Sequence, residues 1–264
     1  MTPRRARLET RQASLGYGAR LVSERLDLAI RDGSFTAIIG PNGCGKSTLL
    51  RAFARVIAPG AGEVLLDGTP IRSVPPRAVA RELGFLPQSS IAPDGIAVAD
   101  LVARGRTPHG RLFQTWTAAD EAAVREALDV TGLTGLSGRP VRELSGGQAQ
   151  RVWIAMLLAQ QTSILLLDEP TTFLDIAHQI DVLELCRRLN RERGVTIVAV
   201  LHDLNQAARY ADRLILMREG AVAGDGAPPD VVTAELVEYA FGLACRVIPD
   251  PVSGAPLVLP LGTT

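Results

Sequence analysis

Eight residues of the run Gly40-Pro41-Asn42-Gly43-Cys44-Gly45-Lys46-Ser47-Thr48, Gly40 to Ser47, have the spacing G-x-x-x-x-G-K-[ST], with Thr48 next. Glycines so placed let backbone N–H groups turn toward an anion, and a helix starting behind them aims its positive end at the same point. In such a loop Lys46 reaches the β- and γ-phosphates of a nucleotide and Ser47 offers its hydroxyl to Mg2+. The flanks suit this part. Phe35 to Ile39 is a continuous apolar run, as a strand covered on both faces requires. From Lys46 onward, Leu49, Leu50 and Phe53 recur at helical spacing. A plain glycine-rich turn needs neither flank.

A second apolar strand, Ile164 to Leu167, ends in Asp168 and Glu169. Taken alone, Asp-Glu after a strand reads as a helix cap. Beside a phosphate loop, Asp168 can hold a metal with Ser47, usually through water. Glu169 is then free to orient or deprotonate an attacking water. About twenty residues upstream stands Leu144-Ser145-Gly146-Gly147-Gln148. It opens a helical run over Gly146 to Ala159, where Ser145 reads either as an ordinary N-cap or as part of a second helix start that faces an anion.

The elements around these residues define an α/β chain. Leu26 to Ile30, Glu63 to Leu66 and Leu83 to Leu86 read as short strands closed by turn residues. From about 97 to 160 the texture is helical: Val98 to Arg104, Ala118 to Val130 and Gly146 to Ala159, the second capped by Thr117 with Asp120 and Glu121 in its first turn. Arg106 to Thr115 reads as the loop joining the first two. Strands at Thr196 to Leu201 and Arg213 to Met217 then alternate with helices at Ile176 to Arg193 and Leu204 to Ala211, which predicts parallel strands with right-handed crossovers. A short helix pair over Pro229 to Phe241 and one or two strands close the chain.

Whole-chain composition narrows the options. Lys plus Arg equals Asp plus Glu, 28 each, so no basic excess favours a nucleic-acid partner. Arg4, Arg5, Arg7 and Arg11 read as a solvated basic edge. No segment has the roughly 18 apolar residues that span a bilayer, and no apolar stretch follows the first arginines as in a signal peptide. Cys44, Cys186 and Cys245 lack metal-site spacing and read as free thiols.

With LSGGQ between the phosphate loop and the Asp168-Glu169 strand, the chain resembles the nucleotide-binding subunits of ABC transporters, over essentially its whole length and with the motifs in family order. The resemblance implies a P-loop NTPase core with a mostly parallel sheet, an N-terminal antiparallel β subdomain and an inserted helical subdomain. The ATP-binding domain would run over 8–243, its core over 8–96 and 161–243, its helical subdomain over 97–160, with a tail at 244–264. The cofactors implied are ATP and Mg2+, bound between two subunits packed head to tail. Ser145, Gly146, Gly147 and Gln148 would then meet the nucleotide held by the other copy. Tyr17 matches the aromatic that stacks on adenine, and Gln88 the glutamine that senses Mg2+ and the γ-phosphate. His202 matches the histidine that bonds the γ-phosphate, and Asp175 the aspartate that crosses between subunits. Lys46, Gln88, Glu169 and His202 would be catalytic, and Ser47, Gln88 and Asp168 would serve the metal.

A finer resemblance, carried by Gly105 to Gly110, Trp116, Asp168 to Gln179 and His202 to Ala207, points to ATPases of ferric-siderophore, haem and cobalamin importers. It implies a homodimer on the cytoplasmic face of the membrane, bound to a separate permease and indirectly to a periplasmic or lipid-anchored substrate-binding protein. Ferric siderophore is the cargo expected; haem or cobalamin import, and a soluble non-transport ATPase, stay open. Ser89 to Leu112 would carry motion to the permease, with Arg106 and Pro108 as contacts. His178 is expected on a helix near the dimer seam, and His109 in a loop.

Overall fold

The computed structural model describes residues 6–110 and 116–261. Arg4 and Arg5 of the basic start, and 111–115 of the expected loop, lie outside the described residues. The chain opens with β1 (Ala6–Tyr17), β2 (Arg20–Arg31), β3 (Phe35–Ile39), α1 (Lys46–Phe53), β4 (Ala61–Leu66), β5 (Thr69–Pro70), α2 (Pro76–Glu82) and β6 (Leu83–Leu86). Three helices follow, α3 (Val98–Ala103), α4 (Ala118–Val130) and α5 (Gly146–Ala159). Alternation then returns with β7 (Ile164–Asp168), α6 (Ile176–Arg193), β8 (Thr196–Val200), α7 (Leu204–Tyr210), β9 (Arg213–Arg218) and β10 (Ala221–Gly226). The last elements are α8 (Pro228–Val231), α9 (Ala234–Phe241), β11 (Cys245–Pro249) and β12 (Pro256–Pro260).

An antiparallel sheet in the order β2-β1-β4-β5 accompanies a six-stranded sheet in the order β10-β9-β3-β8-β7-β6. In the larger sheet β9, β3, β8, β7 and β6 are parallel, and β10 is an antiparallel edge. Alternate residues of its central strands feed two cores. Ala37, Leu165, Leu167 and Ala199 pack on α6 and α7, while Ile38, Leu166, Val198 and Val200 pack on α1 and the antiparallel strands. Burial on both faces is why these strands read as unbroken apolar runs. Helices α3 to α5 close around a third core that includes Leu101, Val102, Leu128, Val152 and Ala155.

Several elements were hidden in the sequence. β1 and most of β2 lack clean alternation because Gln12 and Arg25 hold positive φ of 48° and 49° and the pairing shifts register between Thr10 and Ala13. Such bulges flip the period-two pattern. α2 begins with Pro76, a residue that punctuates a turn but also suits a first helical turn. β10, with two glycines in six residues, is a weak strand by composition and forms as an edge on β9.

The parallel sheet positions the site. Ile38 pairs with Val200, Val200 with Asp168, and Leu167 with Leu86, so four strands end on one line. The Gly40 loop follows β3, His202 follows β8, Asp168 ends β7 with Glu169 next, and Gln88 follows β6. Open α/β sheets bind ligands along this carboxyl edge.

Candidate active site

The loop after β3 is shaped by its glycines. Gly40 has φ of 144°, and a Cβ there would fall on the Met217 carbonyl oxygen and 2.9 Å from Cys44 Sγ. Gly45 has φ of 105° as N-cap of α1. The loop wraps Lys46, which is buried and donates from Nζ to the carbonyls of Gly40 (2.8 Å) and Pro41 (2.9 Å). Two of its three ammonium protons are so used; one is left for a ligand.

One residue on, Ser47 Oγ donates to Asp168 Oδ1 at 2.7 Å. Asp168 is fully buried, and its Oδ2 accepts no hydrogen bond among the described residues; the nearest cation is Arg51 Nε at 3.6 Å. Burial pushes this carboxyl above the usual range, against the opposing pull of the Ser47 hydroxyl and Arg51. An orphaned carboxylate oxygen beside a serine hydroxyl suits a hard divalent cation. Among the described residues no three His, Cys, Asp or Glu side chains could hold a metal together, so an ion here needs ligands from nucleotide and water.

Glu169 sits in a left-handed turn, φ 54°, that ends the β7 run. Its Oε2 accepts from Gln88 Nε2 (2.7 Å) and Thr172 Oγ1 (3.1 Å), and its Oε1 lies 2.7 Å from His202 Nε2. Three of the expected residues therefore meet at one carboxylate. Tyr17, Asn42, Gly43, Gly45, Lys46, Ser47, Thr48 and Glu169 line a common open cleft of about 260 Å³. At its mouth Tyr17 is 45% exposed, and its OH accepts from Arg51 Nη1 at 3.2 Å.

Other expected residues lie apart. Ser145, Gly146, Gly147 and Gln148 do not line the cleft. Ser145 caps α5: its Oγ accepts from Gln148 N (3.3 Å), and Gln148 Oε1 accepts from Ser145 N (3.1 Å). Asp175 caps α6 within its own chain, accepting from His178 N at 3.0 Å.

Arg106 is corrected. It is no surface contact but a buried tie, donating to Asp120 Oδ1 (2.8 Å), the Ala159 carbonyl (2.7 Å) and Gln161 Oε1 (2.8 Å). Its neighbour Pro108 offers its carbonyl to Arg77 Nε and Arg81 Nε. His109 is half-buried, with Nε2 2.8 Å from the Gln160 carbonyl. Sequence reasoning missed Thr172 and Arg51, although Arg51 stands one helical turn after Ser47 and Thr172 one tight turn after Glu169.

Comparison with known proteins fits this arrangement. The family model described as ABC transporter matches residues 23–172. The chain is 57% identical to the ferric enterobactin transport ATP-binding protein FepC of Escherichia coli (strain K12), over 100% of this chain and 97% of that one. A metal-chelate type ABC transporter in an inward-facing conformation is similar at a TM-score of 0.85 and 29% identity, covering 97% and 98% of the two chains. The dimeric ABC transporter cassette MJ0796 is similar at 0.73 and 27%, covering 83% and 98%.

Proposed function

Because the chain belongs to the ABC transporter family of ATPases, we propose that it is the ATP-hydrolysing subunit of an importer, powering uptake of a ferric siderophore through a separate membrane permease. The observation that carries the chemistry is the single line of strand ends that brings Lys46, Ser47, Asp168, Glu169, Gln88 and His202 to one edge. The cargo is supported by full-length likeness to a ferric enterobactin transport protein.

Each side chain then has a task. Gly40 to Thr48 cradle the phosphates, Lys46 donates its remaining N–H to them as a hydrogen bond, and the exposed Tyr17 ring stacks on adenine. Mg2+ would neutralise charge developing on the transferred phosphoryl group; Ser47 and Asp168 would hold it, with Gln88 once that amide leaves Glu169. Glu169 orients the attacking water and accepts its proton. His202 is the partner of Oε1, so a nucleotide that draws it away frees that oxygen of the base, while loss of Gln88 leaves Oε2 with Thr172. Catalysis is positioning and electrostatics, since phosphoryl transfer leaves little covalent chemistry to the protein.

Ser145, Gly146, Gly147 and Gln148 lie outside this cleft and are assigned to the nucleotide of a second copy. The active unit is a homodimer in which two sites form together. Phe173 and Ile176, 94% and 77% exposed on the segment after the carboxylates, give such a partner apolar surface to cover. Residues 8–243 form the ATP-binding domain, with 97–160 as the helical subdomain and 244–264 as tail. No helix among the described residues is long and apolar enough to cross a membrane. The chain is assigned to the cytoplasmic face, beneath its permease and, across the membrane, a substrate-binding protein. With Arg106 internal, Ile91 (91% exposed, just after Gln88) is the residue assigned to meet the permease.

The test is uptake of iron-labelled siderophore by cells lacking this chain, complemented with the wild type or Glu169→Gln. Uptake restored by the wild type alone is the expected result. Restoration of haem or cobalamin uptake instead would reassign the cargo, and no dependence of any cargo on the chain would favour a soluble, non-transport ATPase.

A further inference from the structure

α5 starts on a specific support. The amides of Gly146 and Gly147, in its first turn, have no acceptor earlier in the helix. Beneath them lie two side chains from the opposite segment, Leu174 and His178. A Cβ on Gly147 would stand 2.9 Å from His178 Cβ and closer still to Cγ and Cδ2 of the ring; a Cβ on Gly146 would be 3.8 Å from Leu174 Cδ2. The Gly147 backbone therefore rests directly against the imidazole, and only glycine leaves room for it.

The imidazole is held in place. His178 Nδ1 lies 2.7 Å from Asp175 Oδ1, and the same oxygen accepts from the His178 backbone N–H at 3.0 Å. Those two contacts, the backbone one first, hold the Asp175 carboxyl below the usual carboxylate range, so it is an anion at neutral pH. The segment bearing Leu174 and Asp175 is pinned in turn. Gln179 Nε2 donates to the Leu174 carbonyl (3.0 Å), and Gln206 Nε2 donates to Gln179 Oε1 (2.8 Å). The Asp175 carboxylate, which the family resemblance sends across to a partner, is here turned onto its own helix.

We propose that the Asp175–His178 pair sets the position of the Gly146 and Gly147 amides for the nucleotide of a second copy. His178 is thus a positioning residue for the half-site this chain lends, and plays no part in the cleft where the chain binds its own nucleotide. This rests on the reading that the Ser145 to Gln148 segment serves a partner.

The test uses full-length chains carrying Glu169→Gln, so that bound ATP persists, with and without His178→Ala. Titration with a fluorescent ATP analogue at low protein concentration reads each chain's own cleft, and sedimentation with Mg-ATP reads dimerisation. The affinity of the cleft should stay within about twofold. Losing a contact worth one ordinary hydrogen bond weakens each lent half-site about fivefold, and a symmetric dimer has two, so dimerisation should weaken about 25-fold. His178→Leu keeps bulk and folding but lacks Nδ1, and should show the same loss. Asp175→Ala, which removes the acceptor of both bonds, should weaken dimerisation about as much as His178→Ala, and Asp175→Asn, whose Oδ1 still accepts both, should weaken it less. Dimerisation unchanged by His178→Ala, or kept by His178→Leu, overturns the proposal, as does an equal loss of cleft affinity. A parent that stays monomeric with ATP overturns the two-copy reading itself, and this inference with it.

Discussion

Replacing Glu169 with glutamine separates the chemistry of the base from the structure around it. Glu169 is 10% exposed and collects Gln88 and Thr172 on one oxygen and His202 on the other. Glutamine turns one oxygen into an NH2 group. If that group faces His202, the imidazole accepts through its other tautomer; if it faces Gln88 and Thr172, the Gln88 amide turns over and the hydroxyl accepts. No donor is stranded, so stability should change by no more than about 1 kcal/mol. For a chain of this size that is a shift of about 2–4 °C in Tm. The amide cannot take a proton from water, and removing a general base costs roughly 10²–10⁴ in rate. The assay pairs phosphate release at saturating Mg-ATP with a thermal melt and a nucleotide-binding titration. Turnover should fall by at least about a hundredfold, with binding retained. Hydrolysis near the wild-type rate would refute the assignment of Glu169, and a collapse of Tm would refute the account of its hydrogen bonds.

Four further outcomes follow from the same geometry. Thr172→Val removes one of three hydrogen bonds to Glu169 and should lower kcat by about tenfold with KM for ATP unchanged, while Thr172→Ser should retain activity; steady-state kinetics on both decides. Gly40→Ala forces a side chain onto the Met217 carbonyl at a φ of 144°, and should abolish nucleotide binding in a titration. Arg106→Ala breaks a part-buried ion pair and two further hydrogen bonds and leaves the buried Ala159 carbonyl without its donor; thermal or urea melts should show a loss of about 1–3 kcal/mol from that carbonyl. Asp120 is held at about 2 by the Thr117 hydroxyl and Arg106, so its contribution is complete above the ordinary carboxylate pKa and is lost as pH falls toward 2; Asp120→Asn should flatten the acid melting curve between about pH 4 and pH 2.

The residues that sequence reasoning set on the right elements are those whose signal is local. The Gly40 loop, Asp168 and Glu169 are each announced by an apolar strand and a turn, and α5 by the Ser145 cap. β1 was lost because a bulge at Gln12 reverses its alternation partway along. Arg106 was misread because Arg-Thr-Pro-His-Gly has the composition of a surface loop. Nothing in that composition shows that the guanidinium turns inward to carbonyl and carboxylate partners on α4 and the end of α5. The contact of His178 with Gly147 joins two helices far apart in the chain. Spacing within either helix carries no trace of it, and only the packed structure explains why a side chain is excluded there.

The claim that the described cleft is half of an active site is tested by mixing two inactive chains. Lys46→Ala removes the phosphate-facing ammonium, and Ser145→Arg blocks the start of α5 at an exposed position. Each alone should hydrolyse almost no ATP. In an equal mixture half of the dimers pair one chain of each kind, and each such dimer has one site with both faces intact. The account predicts recovery to about a quarter of wild-type hydrolysis. Full activity of the Ser145→Arg chain by itself, or a mixture as inactive as its components, would contradict it.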